Sequence, residues 1–354
     1  MKKHIAVLFG GVSSEHEISC ISAACVIDNI DKDRFLVSKI GITKNGIWFL
    51  FEGDTDSIRS LKWSEQTDRL RPAVISPCTV HHGLMVLDKQ AKKYETIYVD
   101  VVFPVLHGRN GEDGTMQGLL RIAGVPAVGC GTYSSAVCMD KISTKILCER
   151  ENIKTAPFVY ARKTPDLDIN AVVCEVEERL SYPVFIKPAN TGSSIGISKA
   201  ADRASLISGM VAAMEQDSKI LIEKAIKGRE IEVAVLGNNN PIVSECGEIN
   251  PNSEFYDYNT KYITDTAEYF IPAAISDEQS RRIQKTALKV YKTLDCRGLA
   301  RVDFFACEDG SFYFNEINTI PGFTPISMYS RLMEKAGFAF PALIERLIEL
   351  ASEE

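Results

Sequence analysis

The chain has 354 residues, 45% of them hydrophobic and 25% charged, with a formal net charge of −7. That length exceeds what one hydrophobic core usually supports, so two or three domains are expected. The acidic balance gives no electrostatic footprint for nucleic acid or an anionic membrane, so any phosphate ligand must be held by local lysines and backbone amides.

The amino terminus, MKKHIAVLFGGVSSEHE, begins like a signal peptide, but its apolar core is short and acids follow at once. No later stretch approaches the ~20 apolar residues of a membrane span. The ten cysteines are scattered, without a CxxC pair or a Cys/His cluster. This argues against zinc and against a disulfide scaffold, and for reduced thiols in the cytoplasm.

HIAVLFGG reads as a buried strand ending at Gly10 and Gly11. SSEHEISCISAACVIDNI has helical periodicity, with Ser13 or Ser14 as N-cap and Glu17 placed for a capping box. Strand, glycine turn and helix resemble the opening of a doubly wound parallel sheet, where ligands collect at strand carboxyl ends. The G-x-G-x-x-G fingerprint is missing, so NAD is not expected. Glu15 and Glu17 read either as ligand groups or as acids that complement the helix dipole. RFLVSKIGITKNGIWFL gives two more strands around a turn at Lys44, Asn45 and Gly46, and residues 53–93 read as polar and irregular. VVFPVL is a strand with His107 at its carboxyl end, followed by a Gly-rich loop and the helix TMQGLLRIAG. A histidine in that place is a ligand-site candidate. GVPAVGC reads as a short strand. Residues 132–151 read as one helix, with Lys141 and Lys145 on what reads as a solvated face, and a domain boundary falls near Cys130.

In YPVFIKPANTGSSIGISKA a strand ends at Lys187 and a loop with Gly192, Ser193, Ser194 and Gly196 turns back into another. Such a loop either cradles phosphate oxygens or is a plain hairpin connection. It is not a Walker P-loop, because the lysine precedes the glycines. KILIEKAIKGREIEVAVLG gives two strands joined at residues 225–228, with Glu223, Lys224 and Ile226 placed for an adenine and Glu230 for a ribose. Residues 251–270 form a long polar loop rich in tyrosine, with Lys261 and Tyr262 in its middle. Loops of that length tend to be lids. A helix then starts at Ser276 and buries Ile283, Ala287, Val290 and Tyr291.

Residues 301–322, RVDFFACEDGSFYFNEINTIPG, read as a β-hairpin. A two-residue turn at Asp309-Gly310 sets Asp303 opposite Glu316 and Arg301 opposite Asn318, and all four then share one face. Two carboxylates and an amide oxygen suit Mg²⁺. The other reading is a solvated face with an Arg301–carboxylate pair.

These pieces, in this order, resemble the ATP-grasp superfamily. GGVSSEHEIS, LHGRNGEDGTMQG, CMDK, FIKPANTGSSIG, LIEKAIKGREIEVAVLG, YDYNTKYI, ARVDFF and FNEINTIPGFTPISM resemble the D-alanine–D-alanine ligase family over essentially the whole chain. The resemblance implies an α/β (α+β) ATP-grasp fold with an N-terminal doubly wound parallel-sheet domain. The implied domains are 1–130, 131–226 and 227–354, with residues 251–270 as lid. It implies ATP at Lys141, Lys187, Ser194, Glu223, Lys224, Ile226, Glu230 and Lys261. Two Mg²⁺ ions, or Mn²⁺, would sit at Asp303, Glu316 and Asn318. Glu15 would accept the ammonium of the first D-alanine, with His107 beside it, and Ser193, Glu15 and Tyr262 would close the lid. Ser327 and Met328 would meet the second substrate, and Arg301 with the Gly322 amide would form an oxyanion hole. The implied product is a dipeptide for peptidoglycan precursors, made in the cytoplasm by a homodimer without nucleic-acid or membrane partners. The chain departs from many relatives in having Pro325-Ile326 before Ser327, which leaves D-serine open as second substrate. It keeps the Lys261-Tyr262 pair that D-lactate-using relatives change. A silent ATP-binding sensor is the reading from another class, and the complete set Arg301, Asp303, Glu316 and Asn318 argues against it.

Overall fold

The structure, a computed structural model, describes residues 2–88, 91–192, 195–250 and 268–353. The first sheet comprises β1 (Lys3–Gly10), β2 (Phe35–Ile42), β3 (Trp48–Phe51), β4 (Leu70–Ile75), β5 (Gly83–Asp88), β6 (Lys93–Tyr98) and β7 (Val101–Pro104), in the order β6-β5-β4-β3-β2-β1-β7. β1 pairs in parallel with β2 and β7, and the outer strands add an antiparallel meander. Helices cover both faces of the parallel part. Ile5, Val7 and Phe9 pack on α1 (His16–Asn29). The next helix is the short α2 (Thr55–Arg59). Ala6 and Leu8 pack on α3 (Thr115–Ala123) from the opposite side. Burial on both faces is why IAVLF is a continuous apolar run. The doubly wound arrangement expected from the sequence is present around β1.

Four local expectations fail. Residues 53–93 are not irregular. They hold α2, β4 and β5, the two strands being six residues each and set among polar turns. The capping box on α1 is absent: the helix starts at His16, Ser13 Oγ accepts from the Glu15 N–H at 3.1 Å, and Glu17 pairs with Lys44. Residues 132–151 form two helices, α4 (Thr132–Met139) and α5 (Lys141–Arg150). Asp140 breaks them apart, because its carboxylate caps α5 by accepting from the N–H groups of Ile142 (3.1 Å) and Ser143 (3.0 Å). The short strand expected at GVPAVGC is reduced to a single bridge, Val102 to Ala127.

The second sheet is wholly antiparallel, with β8 (Phe158–Arg162), β9 (Val184–Pro188), β10 (Ser198–Ala200) and β11 (Lys219–Lys224) in the order β10-β9-β11-β8. Helices α6 (Ile169–Arg179) and α7 (Arg203–Gln216) close its core around Val173, Ile186, Leu206 and Ile222. The third is also antiparallel: β12 (Arg229–Leu236), β13 (Ile242–Val243), β14 (Gly247–Asn250), β15 (Glu268–Phe270), β16 (Leu299–Ala306) and β17 (Phe312–Asn318). The two strands that flank residues 225–228 therefore belong to different sheets. Helix α8 (Asp277–Thr293) is capped by Ser276, which accepts from the Gln279 N–H at 3.2 Å, and buries Ile283, Ala287, Val290 and Tyr291 as its stripe requires. Helices α9 (Met328–Lys335) and α10 (Phe340–Ala351) lie on the other side, where Tyr329, Leu332, Leu343 and Leu347 join one cluster with Val7, Phe9 and Ala23. The first and third sheets thus share a core, while the second keeps its own. All ten cysteines are free thiols. Among the described residues no helix is long and apolar enough to cross a membrane.

Candidate active site

The β16–β17 hairpin brings Arg301 opposite Asn318 and Asp303 opposite Glu316, as the sequence pattern requires, but by another route. The turn holds three residues, 308–310, closed by the Cys307 N–H on the Ser311 carbonyl at 2.9 Å, with Gly310 at φ +79°. By itself that loop would shift the register by one and turn Glu316 and Asn318 away. The register shifts back between Asp303 and Phe304, where Phe304 faces Phe314, so Asn315 is the extra residue of a β-bulge. Two one-residue deviations cancel.

All four hairpin side chains line a cleft of about 1080 Å³ whose walls come from the second and third sheets and from loops beside the first. Arg301 Nε and Nη2 donate to the two oxygens of Asp303 at 2.9 and 2.7 Å, and Asn318 Nδ2 donates to the same carboxylate at 3.0 Å. Glu232, opposite Asp303 on β12, lies 3.0 Å from Arg301 Nε. Burial works against the guanidinium charge, yet Asp303 and Glu232 hold its pKa well above the ordinary value. The hairpin face is therefore an ion-paired wall of the cleft, and the solvated alternative does not hold.

A second buried ion cluster stands on β9, β11 and α5. Glu223 lies between Lys187 and Lys145, the latter at 2.8 Å, with Lys145 and Glu223 only 2% and 3% exposed. Burial pushes the Glu223 carboxyl up, but the two lysines bring it down to about 2. Lys145 is the clearest correction: no solvated face exists there. Lys141 Nζ donates to the Thr191 carbonyl at 2.6 Å, which ties the start of α5 to the β9–β10 loop. Ile226 and Glu230 also line the cleft, whereas the Lys224 side chain is exposed and outside its wall.

The third group comes from the first sheet. Glu15 is buried where the β1–α1 turn meets the loop after β7. A Cβ on Gly108, at φ +72°, would stand 2.4 Å from Glu15 Oε2, so only glycine lets the carboxylate lie there. A Cβ on Gly192 would be 3.1 Å from the same oxygen, which puts the β9–β10 loop against Glu15. His107 is buried, and burial lowers its pKa against the pull of Glu15. Burial and the Glu15 charge push the neighbouring Glu112 up to about 8. At the far end, Ser327 Oγ lies 2.8 Å from Thr324 Oγ1 and accepts from the Thr324 N–H at 3.1 Å, beside Gly322 and the buried Met328. Ser193, Ser194, Lys261 and Tyr262 lie outside the described residues.

Three cleft or near-cleft groups have no ligand role assigned from the sequence alone: Lys145, Glu232 and Glu112. REIEVAVL places Glu230 and Glu232 on one strand face, so Glu232 carried a signal. Lys145 carried none, because its partner Glu223 is 78 residues away and on another element.

A profile of the D-ala D-ala ligase N-terminus matches residues 4–130, and one of the D-ala D-ala ligase C-terminus matches residues 147–349. A D-alanine–D-alanine ligase of Acetivibrio thermocellus is 50% identical, with 99% of this chain and 96% of that protein covered. The chain belongs to the D-alanine–D-alanine ligase family. A second family member, from Caldicellulosiruptor bescii, is 49% identical over 100% of this chain and 96% of its own. Similar solved structures include VanG D-Ala:D-Ser ligase from Enterococcus faecalis, with TM-score 0.91, 40% identity and coverage of 99% of this chain and 100% of that one. The D-alanine-D-alanine ligase of Coxiella burnetii gives TM-score 0.85 at 32% identity, with 99% and 95% covered. The family's ATP-grasp fold is thus the fold of this chain, and ATP dependence comes with the family.

Proposed function

We propose that the protein joins two D-alanine molecules, using ATP to convert the first carboxylate into an acyl phosphate that the amine of the second attacks. The observation that carries this reading is the hairpin register, which gathers Arg301, Asp303, Glu316 and Asn318 in one cleft with Lys141, Lys187 and Glu15. Lys141 and Lys187 take the nucleotide phosphates, with Ile226, Glu230 and the main chain around Glu223 and Lys224 taking the nucleoside. Ser194 and Lys261 join them from the loops. Glu15 holds the first ammonium beside His107, and Ser193 and Tyr262 complete the closed lid, which protects an acyl phosphate from water. Arg301 and the Gly322 amide face the charge that develops on the attacked carbonyl. Ser327 and Met328 meet the second substrate.

Asp303, Glu316 and Asn318 offer hard oxygen donors on the cleft wall, which fits Mg²⁺ or Mn²⁺ and leaves further positions for phosphate oxygens. Two such ions would offset charge on the transferred phosphoryl group. The proposed domains are 1–130, 131–226 and 227–354, which agrees with the three sheets. A cytoplasmic homodimer without nucleic-acid or membrane partners completes the reading. Its ten free thiols and net charge of −7 support this environment.

The test is product analysis with ATP and D-alanine. D-alanyl-D-alanine and phosphate in equal amounts are expected, and phosphate release that ignores D-alanine would remove the ligase reading. The likeness to VanG D-Ala:D-Ser ligase favours a second reading, with D-serine as acceptor. One added hydroxyl is rejected only weakly by a small apolar pocket. Competition among D-alanine, D-serine and D-lactate at the second site separates these, and D-alanyl-D-alanine is the expected main product.

A further inference from the structure

The loop after β7 grips one residue of the hairpin's outgoing chain from two sides. Glu112 accepts the Ile320 N–H at 3.3 Å and, on its other oxygen, the Gly108 N–H at 2.7 Å. His107 Nδ1 lies 3.1 Å from the Ile320 carbonyl. A carbonyl has no proton to give, so Nδ1 carries the ring proton and Nε2 accepts from the Ser22 hydroxyl at 3.2 Å. β17 ends at Asn318, so no ladder fixes residue 320, and these contacts bridge more than 200 residues of chain. Thr319, Ile320, Pro321 and Gly322 all line the cleft.

We infer that Glu112 and His107 are positioning residues that clamp the main chain of Ile320 and so set where the Gly322 amide stands relative to an amino acid held at Glu15. The inference rests on the ligase reading and deepens it. The same loop also seats Glu15, through Gly108, so one segment fixes both the first-substrate anchor and the donor two residues beyond the clamp. Both Glu112 oxygens are engaged by backbone N–H groups of the clamp. Burial beside Glu15 pushes the carboxyl up to about 8, which leaves it mostly protonated at neutral pH with its oxygens still able to accept. Misplacing a reacting partner by about 1 Å can cost on the order of 10²-fold in rate. The clamp is therefore felt in turnover more than in binding.

Glu112→Gln keeps one acceptor oxygen and turns an amide nitrogen toward a backbone N–H, which breaks one side of the clamp. Its kcat for dipeptide formation is expected to fall roughly 10- to 100-fold. The first-site KM for D-alanine stays near the wild-type value, and the acyl phosphate remains trappable by hydroxylamine. His107→Asn retains a donor near the Nδ1 position, whereas His107→Gln places its amide near Nε2. The Asn variant is expected to keep clearly higher kcat, and melting curves of all variants establish folding. If Glu112→Gln does not fold, the histidine pair decides alone. Wild-type kcat in Glu112→Gln, equal rates for the two histidine variants, or a change confined to KM would each overturn the clamp. A wild-type protein that forms no dipeptide would overturn the ligase reading itself, and the clamp's role with it.

Discussion

Glu223 is one carboxylate between two cations, Lys145 and Lys187, whereas Arg301 is one cation between two carboxylates, Glu232 and Asp303. Both clusters are buried and both abut the same cleft, but their charge balances are opposite. A surplus of positive charge suits polyphosphate. A surplus of negative charge suits a divalent cation, with Glu316 nearby to increase it. Each cluster alone is an expensive use of a protein interior, since taking ions out of water costs several kcal/mol apiece. Under the proposed function, the first cluster serves the nucleotide and the second serves the metal and the reacting carbonyl.

The comparison breaks first at Arg301. Arg301→Ala is expected to lower kcat by about 10²–10³-fold, while ATP binding by calorimetry stays within a few-fold of wild type. Near-normal turnover would show that this cluster has no part in the chemistry. Arg301→Lys recovers little, because an ammonium lacks the two-pronged fork that Asp303 accepts.

The phosphate-side cluster is expected to show in stability as well as activity. Lys145→Met leaves Glu223 with one partner and should cost about 3 kcal/mol, the lower end for a broken buried pair. That corresponds to a fall of roughly 12–24 °C in Tm for a unit of about 100 residues. An unchanged melt would mean that Lys145 is not the counter-ion its position indicates.

The third expectation concerns pH. Glu223 titrates at about 2 in the folded chain, below the ordinary carboxylate value of 4.5. A depressed carboxyl stabilises the fold above its unfolded pKa and loses that contribution as pH falls through the folded value. The stability gap between wild type and Glu223→Gln, about 2–4 kcal/mol near neutrality, should therefore close between pH 5 and pH 2 in denaturant titrations. A gap independent of pH would contradict it.

The smallest effect sharpens the contrast with exposed pairs. Arg179 and Glu175 pair on the surface of α6, with side chains 54% and 46% exposed. Arg179→Ala should change stability by less than about 0.5 kcal/mol.

Much of the site was legible because it depends on alternation along strands. The shared face of Arg301, Asp303, Glu316 and Asn318 reads correctly although the turn is longer than expected and the bulge has no signal, since the two deviations are equal and opposite. REIEVAVL and YPVFIKPAN likewise read as the strands they are. What the pattern could not carry was partnership across the fold. Lys145 looks like any surface lysine until β11 brings Glu223 beside it, and Glu112 looks like a loop acid until Ile320 arrives. Residues 53–93 were missed for a different reason. Their strands β4 and β5 are only six residues each and are set among polar turns and the short α2, which dilute the pattern along the segment.

The bulge at Asn315 separates the hairpin's tip from its working end. Glu308 and Asp309 stand exposed at that tip, and the pairing that sets Arg301, Asp303, Glu316 and Asn318 on one face lies beyond the bulge. A reporter peptide or fluorophore could be grafted there and ride on the same two strands as the chemistry. It would give a direct optical handle on the cleft while leaving every residue that lines it in place.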